Sequence, residues 1–352
     1  MGAKEHRIAA VDLFCGAGGL SLGLKSSGIS VVAGIDLDPD CKLPFEKNIK
    51  AKFVHWDVKD LTGKEVLEAF GSAQFKLIAA CAPCQPFSGY SLGKGRKNKD
   101  WGLLLEVLRL ISEVKPDFVT IENVPRLARE QIWKSFVRGL ESLGYNCDWS
   151  ILDASKFGVP QTRHRLVLVG SLHGELKLPK PTHSKPITVR QAIGELPPIS
   201  AGQASAQDEM HVARSLSIKN IERIKASKPG GTWRSWPKSL RAACHNRTTG
   251  KSFPSVYGRM DWDEPSPTIT TQFFGYGNGR FGHPSQHRAI SLREGAILQS
   301  FPRNFVFAAK VEGGIKQLGK LIGNAVPPKL AKQIGKSIIS HAAVVSRELP
   351  AR

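Results

Sequence analysis

Short apolar runs alternate with amphipathic stretches along the first 170 residues of the chain. Runs rich in β-branched and other apolar residues predict five strands, at 8–14, 31–36, 76–81, 117–123 and 165–170. Apolar positions recur at three- and four-residue spacing over 102–114 and 132–144, which predicts amphipathic helices. Strands that alternate with helices are typical of a parallel sheet, so we expect an α/β fold for this part of the chain.

The pattern changes beyond the last of these strands. From about Pro179 to Tyr276 the chain is rich in Pro, Gly, Ser, Lys and Arg, and its hydrophobic periodicity is weak. Helical periodicity returns at Ser291–Gln299 and again at Lys329–Ala343. We therefore expect an α/β lobe, a smaller loop-rich lobe and a C-terminal segment that returns to the first lobe, with bounds at 1–181, 182–316 and 317–352.

The chain is strongly basic, with 50 Lys and Arg against 30 Asp and Glu and a formal net charge of +20. Between His211 and Met260 there are eleven Lys or Arg residues and a single acid, Glu222. The same stretch carries Trp233 and Trp236, and basic residues interleaved with aromatics favour contact with a nucleic-acid phosphate backbone. The charge distribution therefore predicts that the loop-rich lobe binds nucleic acid.

The length of the apolar runs and the number of cysteines indicate the cellular compartment of the protein. No apolar run approaches the roughly 20 residues that a membrane span needs, and the first strand pattern begins too early for a signal peptide. Six cysteines in a chain of 352 residues do not indicate a disulfide framework. We expect a cytoplasmic protein with reduced cysteines and no membrane contact.

A glycine-rich turn follows the first strand. The stretch AAVDLFCGAGGLSLGL at 9–24 combines a strand, a turn and the start of a helix, and its glycines allow the backbone to approach a ligand at the helix N-terminus. Asp36 ends the second strand, where an acid can bind ribose hydroxyls. Ser21 stands where a dinucleotide fingerprint requires its third glycine. Nicotinamide dinucleotide, S-adenosylmethionine and a purely structural turn all remain open at this point.

The spacing of Cys81 and Cys84 allows a dithiol, a zinc half-site or a single nucleophile. A redox pair usually opens a helix, whereas this pair follows a strand, and no two further ligands stand at zinc spacing nearby. Ligands of α/β proteins bind at the carboxyl ends of parallel strands, which is where Cys84 is expected. The pattern favours Cys84 as a lone nucleophile and Cys81 as a small buried residue that ends the strand.

Six motifs of the chain, in order, resemble those of the DNA (cytosine-5)-methyltransferase family of bacterial type. They are DLFCGAGGL at 12–20, APCQPFS at 82–88, ENV at 122–124, FGVPQTRHR at 157–165, HRAISLREGAILQSFP at 287–302 and LIGNAVPP at 321–328. The resemblance implies a Rossmann-like methyltransferase fold over 1–181 and 317–352, with a target-recognition domain over 182–316. The stretch AACAPCQ at 79–85 departs from the family pattern, because it lacks the glycine often found before the proline of the nucleophile motif.

The resemblance also implies a mechanism. Cys84 is expected to add to C6 of a flipped-out cytosine, which makes C5 nucleophilic enough to be methylated. Glu122 is expected to contact N3 and the exocyclic amine. Arg163 and Arg165 are expected to point to the same side of an extended segment, where one holds the base O2 and the other supports the thiolate.

The cofactor that the resemblance implies is S-adenosylmethionine, with no metal. Eight positions match the family's cofactor contacts, namely Phe14, Gly16, Gly18, Asp36, Asp57, Pro83, Leu104 and Asn324. Asp57 can equally cap a helix, and Leu104 can equally be a core residue. Contacts to the DNA or the base are expected from Gln85, Ser88 and Asn123.

The partner that this interpretation predicts is double-stranded DNA, bound by a monomer in the cytoplasm at the nucleoid, with a cognate restriction endonuclease acting separately. Two alternatives stay open. A tRNA cytosine-5 methyltransferase has the same fold but does not need so large a recognition lobe. A catalytically silent DNA-binding homologue does not need the set of Cys84, Glu122, Arg163 and Arg165.

Overall fold

The computed structural model describes residues 8–83, 102–247, 250, 252–311 and 314–348. Its contacts divide the chain into two compact units. Unit 1 comprises Met1–Phe157, His164–Thr182 and Val326–Arg352, and unit 2 comprises Gly158–Arg163 and His183–Ala325. In the described part of the chain, no helix combines the length and the apolar character that crossing a membrane requires.

Strands and helices alternate through unit 1, as the hydrophobic pattern predicts. The strands are Ile8–Leu13 (β1), Ser30–Asp36 (β2), Lys52–His55 (β3), Phe75–Ala80 (β4), Phe118–Asn123 (β5), Asn146–Asp153 (β6) and His164–Ser171 (β7). The helices of the chain are Gly19–Ser27 (α1), Lys42–Ile49 (α2), Gly63–Phe70 (α3), Leu103–Val114 (α4), Gln131–Ser142 (α5), Val189–Ile193 (α6), Ile218–Ala226 (α7), Leu292–Leu298 (α8), Ile315–Asn324 (α9) and Pro328–Glu348 (α10). Of these helices, α1–α5 and α10 lie in unit 1 and α6–α9 in unit 2.

The seven strands form one sheet in the order β3-β2-β1-β4-β5-β7-β6. Strands β1 to β5 pair in parallel, but β7 runs antiparallel to both β5 and β6. The expectation of a wholly parallel sheet is therefore wrong at 165–170. The connection from β6 to β7 is too short for a crossover helix, and only antiparallel strands can be joined that way.

The C-terminal helix α10 packs on α1 within unit 1. A Cβ atom at Gly23 would lie 2.3 Å from Ala331 Cβ and 2.5 Å from the Pro328 carbonyl oxygen, so only glycine permits this approach. The helix begins at Pro328, where the missing N–H costs nothing. The sequence predicts this return to the first lobe, and the packing against α1 explains how the return is held.

The contact units differ from the predicted segments at two places. Residues 158–163 cluster with unit 2, and the chain returns to unit 1 at Val326 rather than at 317. The later return arises because α9 packs within unit 2. Its Gly319 lies against the Phe274 ring, and its Gly323 lies against the Thr270 backbone. The functional names given to the segments stay predictions.

An aromatic cluster forms part of the interior of unit 2. Trp233 stacks on His245 at 4.2 Å between ring centroids, and Trp236 meets Tyr257 edge-on. Arg223 lies over the Trp236 and Tyr257 rings and donates to the Leu240 carbonyl. Trp233 and Trp236 are buried, so the expectation that these aromatics face a phosphate backbone is wrong. They build the small core from which the basic side chains project.

Helix α8 is fixed by a buried ion pair. Arg288 donates to both carboxylate oxygens of Glu294, at 2.6 and 2.7 Å, and both residues are fully buried. Glu294 also closes a capping box with Ser291, which satisfies backbone N–H groups at the start of the helix. These contacts explain the charged residues of the HRAISLREGAILQSFP stretch as structural ones.

Candidate active site

The predicted site residues of unit 1 follow the carboxyl ends of its parallel strands. Phe14, Gly16 and Gly18 come after β1, and Pro83 comes after β4. Further residues end β2 and β5 or follow β3, namely Asp36, Asp57, Glu122 and Asn123. Parallel strands place their carboxyl ends at one edge of the sheet, which is where ligands of α/β folds bind. The fold thus gathers these positions along one edge.

The turn after β1 has the backbone of a ligand-binding turn. Phe14, Gly16 and Gly18 have φ values of 60°, 52° and 90°, in the left-handed region. A Cβ at Gly18 would lie 3.0 Å from Ile49 Cγ1, whereas one at Gly16 would point into open space. Helix α1 begins directly after the turn, at Gly19. The turn therefore brings backbone groups and a helix N-terminus to the edge of the sheet.

Asp36 connects this turn to the end of β2. One carboxylate oxygen accepts the Gly16 N–H at 2.9 Å, and the other accepts the Asp38 N–H at 2.9 Å. Each carboxylate oxygen has two lone pairs, so Asp36 retains acceptor capacity for a further donor. The residue is half-buried, as a ligand-binding acid at a strand end must be.

Asp12 is a buried acid of this edge to which the sequence interpretation gave no role. It accepts a hydrogen bond of 2.6 Å from Ser21 Oγ of α1, and its Oδ1 atom has no hydrogen-bond partner among the described residues. Burial raises the pKa of Asp12 from 3.8 to about 7, and the nearby Asp36 charge adds to that rise. The sequence signal for Asp12 is an acid near the end of an apolar strand, just before a glycine-rich turn.

The raised pKa of Asp12 predicts a pH-dependent stability. The folded carboxyl binds its proton more tightly than the unfolded one, so stability falls as pH rises between about 4 and 7. Asp12→Asn removes this titration and keeps an acceptor for Ser21. We expect the unfolding free energy of the wild type to fall by about 2–3 kcal/mol relative to Asp12→Asn between pH 5 and pH 8. Urea unfolding of both chains at the two pH values measures this, and an unchanged difference would contradict it.

Glu122 and Arg165 are brought together by the antiparallel pairing of β5 with β7. Glu122 stands opposite Val167, so Arg165, two residues earlier on β7, shares its face of the sheet. Arg165 Nε lies 2.9 Å from Glu122 Oε1, and only 4% of Glu122 is exposed. The structure thus joins two of the four predicted catalytic residues in a buried ion pair.

The second oxygen of Glu122 meets Cys81, a residue that the sequence interpretation left out of the site. Cys81 Sγ donates to Glu122 Oε2 at 3.0 Å. The contact follows from the register of β4 and β5. Ala80 pairs with Ile121, so the residues that follow them, Cys81 and Glu122, are neighbours. Cys81 lies one residue beyond β4 and is half-buried, so the expectation of a small buried residue within the strand is wrong.

Arg163 belongs to unit 2 and has other partners than Arg165. Its guanidinium donates to the Ile269 carbonyl at 2.8 Å and to the Gly323 carbonyl at 3.0 Å, and only 2% of the residue is exposed. Arg163 precedes β7, which begins at His164, and the expectation that Arg163 and Arg165 point to the same side of an extended segment stays a prediction. Arg163 links loops of unit 2.

Asn123 is buried and occupied within unit 1. Its amide nitrogen donates to the Ala82 carbonyl at 3.1 Å, and its amide oxygen accepts the Val124 N–H at 2.8 Å. Only 3% of the residue is exposed, and the expectation that Asn123 contacts the DNA or the base stays a prediction. It ties the end of β5 to the segment that leads to Cys84.

The other predicted cofactor contacts divide into two kinds. Asp57 accepts the Lys59 N–H at 3.0 Å in a local turn, and Leu104 is a buried member of the main core, so both have a structural role. Pro83 is exposed after β4, and Asn324 is exposed at the end of α9 in unit 2. Cys84, Gln85 and Ser88 lie outside the described residues. Across the described ranges, no group of three or more His, Cys, Asp or Glu side chains is placed to hold a metal ion.

Comparison with known proteins identifies the family to which the chain belongs. The family model described as C-5 cytosine-specific DNA methylase matches residues 8–340. The chain is 46% identical to the Type II methylase M.HgiDII of Herpetosiphon aurantiacus, over 94% of each chain. It is 31% identical to the Type II methyltransferase M1.HphI of Haemophilus parahaemolyticus, over 94% of this chain and 87% of that one.

A solved structure shares the fold at lower identity. A mutant of DNMT2 from Spodoptera frugiperda superposes with a TM-score of 0.65 and 17% identity, covering 94% of this chain and 99% of that chain. At this identity the likeness concerns the fold alone. The seven-stranded mixed sheet of unit 1, with its reversed β7, is therefore a Rossmann-like methyltransferase sheet.

Proposed function

Because the chain belongs to the C-5 cytosine-specific DNA methylase family, we propose that Cys84, Glu122 and Arg165 methylate cytosine C5 within a specific sequence of double-stranded DNA. The chain is a methyltransferase that acts on cytosine in DNA. The observation that supports the residue assignment is the buried Glu122 carboxylate, held by Arg165 at the end of β5, next to the end of β4 from which the chain leads to Cys84.

The chemistry assigns a separate task to each residue. Cytosine C5 is a poor nucleophile, so the Cys84 thiolate adds to C6 and makes C5 enamine-like. Glu122 holds the proton that N3 takes up as charge develops on the ring. Once C5 carries the methyl group, loss of the C5 proton and elimination of Cys84 restore the aromatic base. The target atom lies within a stacked duplex, so the base must first be flipped out.

The two arginines differ in what they do. Arg165 touches the Glu122 carboxylate and, at 13% side-chain exposure, keeps part of its guanidinium accessible to the base O2. Such a fixed cation stabilises developing negative charge in a site that excludes water. Arg163 is a positioning residue, since its guanidinium donates to the Ile269 and Gly323 carbonyls of unit 2.

The edge of unit 1 fits S-adenosylmethionine, which supplies an electrophilic methyl group when bound. The fit rests on the half-buried Asp36 carboxylate at the end of β2, which suits a ribose hydroxyl, and on the open space at Gly16. The start of α1 suits a carboxylate. The residues proposed to contact the cofactor are Phe14, Gly16, Gly18, Asp36, Asp57, Pro83, Leu104 and Asn324, with Leu104 acting from within the core.

Unit 2 supplies the charge that DNA binding needs. Ten of the eleven basic residues between His211 and Met260 are described by the structure, and seven of these are exposed, namely Arg214, Lys219, Lys225, Lys228, Arg234, Lys238 and Arg247. Cations of this kind neutralise phosphates and give salt-dependent affinity. We place Gln85 and Ser88 at the flipped nucleotide. A monomer working on nucleoid DNA in the cytoplasm, alongside a separate restriction endonuclease, completes the proposal.

Bisulfite sequencing tests the proposed substrate. In cells that lack cytosine methylation, expression of the chain is expected to protect cytosines in one sequence context of the genome. Expression of Cys84→Ser serves as the control and is expected to protect none. Protected cytosines in tRNA with fully converted DNA would favour the tRNA alternative, and full conversion of both would contradict the proposed activity.

A further inference from the structure

Two neighbours hold the carboxylate of Glu122 from opposite sides. Arg165 Nε lies 2.9 Å from Oε1, and the Cys81 thiol donates to Oε2 at 3.0 Å. All three residues come from adjacent strands of unit 1, since Cys81 follows β4, Glu122 lies on β5 and Arg165 lies on β7. Both carboxylate oxygens are therefore oriented by the protein before any base arrives.

The thiol of Cys81 is suited to donate rather than to react. Burial raises its pKa well above the ordinary value, and the Glu122 charge raises it further, although Arg165 acts in the opposite direction. A thiol that stays protonated is a poor nucleophile. Cys81 is therefore a neutral hydrogen-bond donor, which separates its chemistry from that expected of Cys84.

The donor matters because the carboxylate must serve several partners at once. The two oxygens of a carboxylate offer about four lone-pair sites, of which Cys81 uses one at Oε2, whereas Arg165 lies against Oε1 as an ion-pair partner without a hydrogen bond. The remaining sites can face the N3 proton and the exocyclic amine of a cytosine ring. A carboxylate free to rotate about its last torsion would present them only part of the time, because such terminal torsions are broad.

We propose that Cys81 is a positioning residue that fixes the Glu122 carboxylate in the orientation that the cytosine ring requires. The inference rests on the proposed function. The charged and titratable groups that bear on this pair are Arg165 on β7 and Asp12 on β1.

Kinetics of Cys81 variants test the proposal. Cys81→Ala is expected to lower kcat about tenfold, the scale of a lost hydrogen bond to a charged group, with little change in KM. Cys81→Ser, which keeps a donor, is expected to restore most of the rate.

Cys147→Ala is the matched control, because this thiol of β6 has only a long contact of 3.9 Å to the Tyr145 carbonyl. It is expected to leave kcat and KM unchanged. A Cys81→Ala chain with wild-type kcat would overturn the proposal, and so would a Cys81→Ser chain no better than Cys81→Ala. A purely structural role would lower the amount of active protein without changing kcat per active site.

An infrared measurement separates failure of this inference from failure of the proposed function. The S–H stretching band of Cys81, assigned by its absence from Cys81→Ser, is expected to shift toward the free-thiol position in Glu122→Ala. The shift requires the hydrogen bond but no methyl transfer. An unshifted band in Glu122→Ala would overturn the contact between Cys81 and Glu122. A shifted band, together with a wild-type chain that transfers no methyl group, would support the contact and reject the proposed function.

Discussion

Replacement of Cys84 by Ser is expected to reduce methyl transfer to DNA by roughly 10⁴-fold or more, the scale seen when an enzyme loses its nucleophile. A serine hydroxyl is not ionised at neutral pH and has no adjacent base assigned to it here. Without addition to C6, C5 stays too poor a nucleophile to take a methyl group. Single-turnover methylation of duplex DNA measures the loss.

The variant should fail in chemistry and not in binding. Cofactor binding, followed by calorimetry, and duplex binding are expected to stay within about threefold of the wild type, since one polar atom replaces another of similar size. Cys147→Ser, on β6, is the matched control and is expected to keep full activity. Turnover of Cys84→Ser at a rate near that of the wild type would reject the covalent mechanism.

Glu122→Gln is expected to lower the rate of methyl transfer by about 10²- to 10⁴-fold, the usual contribution of general acid–base catalysis. The amide keeps the shape of the carboxylate, but its single oxygen can face only one of Cys81 and Arg165, since these two residues contact different carboxylate oxygens. It cannot hold the proton that N3 takes up. Single-turnover rates at saturating DNA and cofactor isolate this step from binding.

The control for Glu122→Gln is Glu175→Gln, which changes an exposed acid of unit 1 that pairs with Lys177. It is expected to leave the rate unchanged, because exposed ion pairs contribute little. A Glu122→Gln chain that kept more than half of the wild-type rate would show that Glu122 does not take part in proton transfer.

Sequence patterns predicted the elements that bury a continuous apolar face. Strands β1, β2, β4, β5 and β7 and helices α4, α5, α8 and α10 were expected within a few residues of their bounds. Strand β6 was missed because it lies at the edge of the sheet and alternates polar with exposed apolar residues. The direction of β7 could not be read from its own residues, since it depends on the short connection from β6.

The site residues also divide into those whose contacts the sequence motifs predicted and those whose contacts depend on the folded structure. Glu122 and Arg165 stand in motifs of recognisable spacing, and pairing of β5 with β7 brings them together as the resemblance implied. Asn123 and Arg163 stand in the same motifs, yet burial and carbonyl partners give both of them structural contacts. Partners that come from distant parts of the chain decide such roles, and spacing carries no information on them. Cys81 was missed for this reason, because its thiol meets Glu122 only through the pairing of β4 with β5.

The central claim is that Cys84 forms a covalent bond to the target cytosine. Duplex DNA carrying 5-fluorocytosine at the target position tests it, because fluorine cannot leave C5 as a proton does and the adduct is held after methyl transfer. We predict a denaturation-resistant complex that forms with the wild type and cofactor together, and a crosslinked peptide that contains Cys84. A complex that forms equally well with Cys84→Ser, or a crosslink at Cys81, would contradict the account.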